Sequence, residues 1–329
     1  MLPPVSAIVI TWNNEQCLEH CLRSLEADLH ADDELLVIDN ANSSATAALV
    51  ARHAPRVRFV QNKENLTYAR AANQGVSLTT GDLVWILNDD IEVLPGCRDA
   101  LVHAFRTHPD AAVCGPLLLE PGGEVSPLSR LDLLTPGQVV DRLAPTPRLR
   151  LQWLLDLWVT RRAARRTHST RYTRADDNCV EPVGLVTGAA MMVSRHRFLS
   201  VGGMDARFRF YFEDYDLCLS LAQRGWRNYL VGSARAVHME GVSSSPNLVF
   251  CRESLLAGAV LYLEKHYGRG TACFARPLLS AHMLGSALRS MLPRSPGRGG
   301  RLYRKVGTRA WLRMARSVLR NGGKIWRNQ

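Results

Sequence analysis

Asp82–Asp90 reads DLVWILNDD, an apolar run that closes on one amide and two carboxylates. Its first six residues, Asp82–Leu87, have the length and apolar character of a strand buried on both faces. Three runs of the same kind lie upstream: Ser6–Thr11 (SAIVIT), Glu34–Ile38 (ELLVI) and Val57–Val60. The segments between them carry a helical period. Asn14–Ala27 places Cys17, Leu18, Cys21, Leu22 and Leu25 on one face, and Ser43–His53 and Thr67–Leu78 continue the alternation. Strands joined through helices need crossover connections, which predicts an α/β fold: a mostly parallel, Rossmann-like sheet with helices on both faces. Ligands of such sheets bind beyond the carboxyl ends of the strands. Those positions are polar here: Thr11, Trp12, Asn13 and Asn14 after the first strand, Asp39 and Asn40 after the second, Asn88, Asp89 and Asp90 after the fourth. The first strand-to-helix turn holds no glycine, so the GxGxxG dinucleotide fingerprint is missing, as is a GxxxxGK[ST] phosphate loop.

Residues 121–180 interrupt the alternation with proline, glycine and arginine. They read as a basic insertion with one amphipathic helix, Leu149–Val159 (LRLQWLLDLWV), beside Arg161, Arg162, Arg165 and Arg166. Strand signals return at Val183–Gly188 (VGLVTG) and Ala189–Val193, followed by a helix near Arg195–Val201 and the acidic segment Arg209–Leu221. A short strand at Tyr229–Val231 leads to His238, and Phe250–His266 reads as a closing helix.

With 46% apolar and 22% charged residues in 329, the chain has the composition of a globular protein, which excludes wholesale disorder. Its apolar runs stop short of the roughly 18 residues of a spanning helix, and no basic leader with a small-residue cleavage site opens it. The eight cysteines form no CxxC pair, as expected of a reduced, cytosolic protein. The net charge of +11 is unevenly spread: Glu264 is the last acid, and 15 of the 41 basic residues follow it. Such a one-sided basic region points to a polyanion, either nucleic acid or an anionic membrane. Leu302, Val306, Trp311, Met314, Val318 and Ile325 recur there at helical spacing, the pattern of an interfacial amphipathic helix. The alternative is a helix that packs those apolar residues on the body. Tyr303, Trp311 and Trp326 are few as base-stacking aromatics, which disfavours nucleic acid.

Three features carry chemistry. The adjacent carboxylates Asp89 and Asp90 repel unless a cation offsets them, and hard divalent ions take such oxygen ligands; NDD also makes ordinary turns. Glu213, Asp214 and Asp216 stand among Phe210, Tyr211, Phe212 and Tyr215. Aromatic neighbours desolvate a carboxyl and raise its pKa towards the range of a general base, although acids in a first helical turn also suit the helix dipole. His238 follows the last short strand, where it either shares a metal with Asp90 or serves the core.

Taken in order, these pieces resemble the glycosyltransferase family 2 enzymes of GT-A fold, particularly the rhamnosyltransferase-like branch of bacterial cell-surface polysaccharide synthesis. IVITWNN (8–14) resembles the family's first strand and turn, and VIDNANSS (37–44) its VVDNxS. NLTYARAANQG (65–75) is similar to NxGFAxAxNxG, LNDD (87–90) to LNPD, and VTGAAMMVSR (186–195) to the G-A-x-M-x-x-R element. MDARFRFYFEDYDLCLSLAQRG (204–225) resembles FDExFFxYxEDxDLCxRxxxxG, and HMEGVS (238–243) resembles HxxGxS. Asn88 stands in place of the first Asp of DxD, Leu66-Thr67-Tyr68 in place of the Gly-Phe region, and Met204, Ala206 and Arg207 in the FDE stretch.

The resemblance covers roughly residues 5–245. It implies a GT-A domain over 1–246, with 121–180 inserted, and a helical, strongly basic, membrane-associating region over 247–329. It further implies an inverting transfer from a nucleotide diphosphate sugar (dTDP-rhamnose or a UDP-sugar) to a hydroxyl of a glycan or lipid-linked saccharide. Thr11, Asn13, Asp39, Asn40, Arg70, Asn73, Asn88 and Asp89 would hold the donor, Asp90 and His238 would hold Mg2+ or Mn2+, and Asp214, of the Glu213–Asp214 pair, would be the base. The enzyme would work in the cytoplasm, peripheral to the inner face of the plasma membrane. Two rival classes are a silent scaffold that binds sugar nucleotide or lipid, which the presence of Asp90, Asp214 and His238 disfavours, and a nucleic-acid binder acting through the basic tail.

Overall fold

The computed structural model describes residues 4–53, 55–144, 179–239, 248–291 and 306–321. Leu149–Val159 with its arginines, HMEGVS beyond Met239, and Leu302 and Ile325 of the tail lie outside the described residues. Two compact units are present. One comprises Met1–Leu133, His168–Ala206 and Glu213–Ser243; the other comprises Leu134–Thr167, Arg207–Phe212 and Ser244–Gln329.

In the first unit β1 (Val5–Thr11), β2 (Glu34–Asp39), β3 (Val57–Gln61) and β4 (Leu83–Asn88) pair in parallel in the order β3-β2-β1-β4. The helices α1 (Glu15–Asp28), α2 (Ser44–Ala51) and α3 (Tyr68–Leu78) join them. Beyond β4 the sheet is mixed. There β8 (Ala190–Ser194) runs antiparallel to β4 and to β6 (Ala111–Leu119), while β9 (Arg227–His238) runs parallel to β6. Both β5 (Ile91–Val93) and β7 (Val180–Val183) pair antiparallel with β9.

The unbroken apolar runs follow from burial on both faces. Val5, Ala7 and Val9 of β1 and Leu83, Trp85 and Leu87 of β4 share one core with α1 and α4 (Cys97–Thr107). Ile8, Ile10, Val84 and Ile86 share the other with α3, α6 (Arg195–Ser200) and α7 (Glu213–Gln223). A Cβ on Gly75 would lie 2.5 Å from Ile8 Cγ2, so only glycine lets α3 lie this close to β1.

Two departures from the sequence expectation have local causes. The strand β6 went unread because Gly115 and Pro116 argue against an interior strand. A register shift against β9 between Pro116 and Leu117 takes up the proline. Conversely, VGLVTG does not continue as strand: the ladder of β7 ends at Val183, and the chain turns towards Gly188.

At the amino edge of the sheet, Arg98 and Asp33 are fully buried and paired through Nε–Oδ2 (3.0 Å) and Nη2–Oδ1 (2.8 Å). Asp33 also accepts the Val5 (2.7 Å) and His30 (2.8 Å) amides, and these donors hold its carboxyl below the usual range against the effect of burial. Arg98→Ala is therefore expected to cost about 3–5 kcal/mol, since it strands a buried charge. Urea unfolding measures this, and a loss below about 1 kcal/mol would contradict it.

The second unit contains α5 (Pro136–Leu143), α8 (Leu248–Tyr267), α9 (Arg269–Met291) and α10 (Thr308–Asn321). The amphipathic pattern of the tail is present, but its apolar face is not open to a lipid surface. Trp311 is 2% and Met314 1% exposed, and Val306, Ala315 and Val318 are buried with them. Ser280 Oγ donates to the Ala315 carbonyl (3.1 Å), and the Ser290 and Thr308 hydroxyls bond at 2.7 Å, so α9 and α10 run antiparallel. The packed arrangement thus replaces the interfacial one expected for this face, while Arg309 and Arg316 lie exposed on the other. Among the described residues, no helix is long and apolar enough to cross a membrane. All eight cysteines are free thiols.

Candidate active site

The parallel register sets Thr11 beside Asp39 and Ile10 beside Asn88, so the carboxyl ends of β1, β2 and β4 are level. Asp89, just beyond β4, is buried and turned towards the end of β1. Its carboxylate accepts Thr11 Oγ1 (2.7 Å), Asn14 Nδ2 (3.0 Å) and the Trp12 amide (3.3 Å). Burial pushes the Asp89 carboxyl up to about 7, with Asp90 adding to the rise and Thr11 and Asn14 opposing it. Asn13, in the same turn, is exposed at φ 52°, a left-handed conformation that asparagine tolerates.

Asp39 organises the next turn in the same way, accepting the Ala41 (2.7 Å) and Ser43 (2.8 Å) amides and Gln61 Nε2 (3.1 Å). Asn40 donates its backbone N–H to the Thr11 carbonyl (2.9 Å), and its side-chain oxygen accepts Asn62 Nδ2 (2.9 Å). Thr11, Asp39, Asn40, Asn88 and Asp89 thus share one edge. Arg70 is exposed on α3. Asn73 is engaged elsewhere: its amide clasps Met204 through Nδ2–O (2.7 Å) and Oδ1–N (2.9 Å).

Asp90 and His238 meet because β5 pairs with the end of β9, setting Ile91 opposite His238 and the Met239 amide on the Asp90 carbonyl (3.0 Å). His238 Nε2 lies 3.4 Å from Asp90 Oδ1, and both side chains are buried. Asp90 Oδ1 accepts no hydrogen bond. A buried carboxylate oxygen without a donor is costly unless a cation meets it. An oxygen and a ring nitrogen at this spacing suit neighbouring ligands of one divalent ion. Among the described residues no group of three or more His, Cys, Asp or Glu side chains could hold a metal. The pair therefore fits an ion that completes its shell with water and substrate phosphate oxygens.

The acidic segment enters through the start of α7. Glu213 is buried, its Oε2 has no hydrogen-bond partner, and burial, with Asp214 next in effect, pushes its carboxyl up to about 8. Asp214 is half-buried. Its Oδ2 accepts the Gly188 amide (3.2 Å) and its Oδ1 the Tyr215 amide (2.8 Å). Gly188 is the link between the two carboxylate clusters. Its carbonyl accepts the Tyr68 hydroxyl, and the next carbonyl, of Ala189, accepts the Asn88 amide (2.9 Å). Tyr68 reports the convergence: burial raises its hydroxyl well above the usual range, and the carboxylates of Glu213, Asp214 and Asp90 add to the rise. Tyr68 and Gly188 are the site residues that sequence reasoning did not single out. Their signal was a hydroxyl where the resembled pattern has Phe, and a glycine inside VTGAAMM.

Thr67 precedes Tyr68 at φ 70°, ψ 160°, a region essentially reserved for glycine, and its buried hydroxyl has no hydrogen-bond partner. The resembled pattern NxGFA carries glycine at this position. Thr67→Gly is expected to stabilise the protein by about 1–2 kcal/mol, the relieved strain less the added freedom of the unfolded chain. Thermal melts test this, and a lowered melting temperature would contradict it.

Residues 6–146 match the family described as Glycosyl transferase family 2. The N-acetylglucosaminyl-diphospho-decaprenol L-rhamnosyltransferase of Mycobacterium tuberculosis is 28% identical over 256 residues, 74% of this chain and 78% of that protein. The GalNAc(5)-diNAcBac-PP-undecaprenol beta-1,3-glucosyltransferase of Campylobacter jejuni is 28% identical over 129 residues, 38% of this chain and 41% of that one. Among solved structures, GalNAc-T7 with UDP, GalNAc and Mn2+ aligns over 95% of this chain with a TM-score of 0.59 at 15% identity, and this chain spans 56% of its length. The mannosyltransferase PcManGT from Pyrobaculum calidifontis, in complex with GDP-Man and Mn2+, aligns over all of this chain and 89% of its own with a TM-score of 0.52 at 16% identity. The fold is that of the GT-A glycosyltransferases. The chain is thus similar to glycosyl transferase family 2 over residues 6–146, and to a rhamnosyltransferase over 74% of its length.

Proposed function

We propose that this protein transfers a sugar, with inversion, from a nucleoside diphosphate sugar to a hydroxyl of a lipid-diphosphate-linked or glycan acceptor in cell-surface polysaccharide synthesis. The donor class follows the relatives, with dTDP-rhamnose or a UDP-sugar the first candidates. The observation that carries the reading is the buried, donorless Asp90 Oδ1 at 3.4 Å from His238 Nε2, level with the nucleotide edge of the sheet. Asp90 and His238 would hold Mg2+ or Mn2+, and such an ion offsets the charge that develops on a departing diphosphate. Thr11, Asn13, Asp39, Asn40 and Asn88 form the rim against which the nucleotide rests, and Asp89 keeps the β1 turn in shape. Asp214 takes the proton of the acceptor hydroxyl as that oxygen bonds to the anomeric carbon. The bond from that carbon to the diphosphate breaks on the opposite face, so one displacement suffices and no glycosyl-enzyme forms. The basic region would hold the protein against the inner face of the plasma membrane, where juxtamembrane basic side chains contribute about 1 kcal/mol each.

Calorimetry with UDP and dTDP, with and without Mn2+, tests the metal pair. Wild-type protein should bind at least one nucleotide about tenfold or more tightly with Mn2+ than without, in line with the effect of losing metal-site interactions. Asp90→Ala should abolish that difference along with turnover. Undiminished Mn2+-enhanced binding in the variant would sink the assignment.

A further inference from the structure

We propose that the outer face of α9 is a docking surface for an anionic lipid bilayer. The proposal rests on the membrane-linked acceptor reading above only for its purpose; the surface itself is read from the helix. On its inner side α9 buries Ala272, Ala275, Leu279, Met283 and Ala287. Its other side carries an exposed apolar row, bordered by the exposed Arg289: Phe274, Pro277, Ala281, Leu284, Leu288 and Met291 recur at steps of three and four. Phe274 is 51%, Leu284 44%, Leu288 65% and Met291 60% exposed. At about 1.5 Å per residue the stripe is roughly 25 Å long. Single exposed leucines need no explanation, but a contiguous apolar stripe without a charged member marks an interaction surface.

Charge identifies the partner. From Lys265 onward the chain has 15 basic residues and no acidic one. Arg289 is exposed on α9 itself, next to Leu288, whereas the apolar face of α10 is already used against protein. A second copy laid on the stripe would bring the same positive charge against itself. An anionic bilayer supplies both the opposite sign and an apolar layer. The two attractions therefore lie side by side on α9, the apolar stripe and Arg289 at its border, rather than on two faces of the tail helix.

Flotation of the full chain with vesicles of phosphatidylcholine, alone and with phosphatidylglycerol, tests this. The wild type should float with the mixed vesicles, and less so as salt is raised. The double variant Leu284→Ser, Leu288→Ser should bind about tenfold or more weakly, because two apolar insertions are lost, with an unchanged melting temperature. A second variant, Arg289→Glu, should weaken binding to the mixed vesicles while leaving the stripe itself unchanged. The proposal is overturned if the wild type does not float, or if either variant floats as the wild type does. It is equally overturned if the wild type is a dimer that the leucine variant dissociates without lipid binding, which assigns the stripe to a second copy. Mn2+-dependent nucleotide binding should persist in both variants, so failure here is separable from failure of the transferase reading.

Discussion

Asp214→Asn is expected to bind nucleotide and Mn2+ as the wild type does and to transfer sugar about 10²–10⁴-fold more slowly, the range of general-base catalysis. The choice between the two neighbouring acids rests on their surroundings. Asp214 is half-exposed in the first turn of α7, a place that favours a carboxylate, and is held in orientation by the Gly188 amide. Glu213 is buried, its Oε2 meets no donor and its carboxyl is pushed up to about 8, so at neutral pH it is mostly protonated, whereas Asp214 is exposed enough to reach an acceptor hydroxyl. Its titration has a sign that can be measured. An ordinary glutamate ionises near 4.5, whereas folded Glu213 does so near 8. Between those values the folded state binds more protons than the unfolded state, so stability present below pH 4.5 is withdrawn as pH rises towards 8. Glu213→Gln should remove that slope, gaining melting temperature over the wild type above neutral pH and little in acid. Initial rates and melts across pH decide the matter. Near wild-type transfer by Asp214→Asn with loss in Glu213→Gln would move the base to Glu213.

The parts of this arrangement that were legible in the sequence are those set by local pattern. The runs SAIVIT, ELLVI and DLVWIL are strands because burial on both faces demands continuous apolar residues, and polar residues just beyond them mark the ligand edge. What escaped depends on long-range pairing or on residues with two readings. The Asp90–His238 pair was legible only through their shared place at the sheet edge and the family resemblance, since no local pattern shows the antiparallel pairing of β5 with β9 that joins them. Tyr68 and Asp214 are brought together by one glycine on a segment that reads as strand and is not. The helix α9 was unread because Pro277 argues against a helix interior, yet the helix runs through it. The sequence leaves the apolar residues of the tail open to a lipid surface or to the body, and only the presence of α9 decides between them.

Ending the chain at Met291 is accordingly expected to disrupt the second unit rather than release a dispensable tail. Truncation removes the buried side chains Val306, Trp311, Met314 and Val318 and uncovers part of α9's inner side, as the bond between Ser280 and Ala315 indicates. At about 1.5–3 kcal/mol for each large apolar side chain, the loss is roughly 6–12 kcal/mol, an upper estimate because unfolded chains already bury some surface. A whole domain is stable by only about 5–15 kcal/mol. The truncated protein should therefore melt far lower or fail to stay in solution. A point change separates packing from charge: Trp311→Ala keeps every arginine and should still cost about 3–5 kcal/mol. If the tail served only through its charges, truncation would leave the melting temperature unchanged and Trp311→Ala would be silent. Unchanged melts in both variants would return α10 to the status of a solvated appendage, and with it the apolar face of α10 to the membrane.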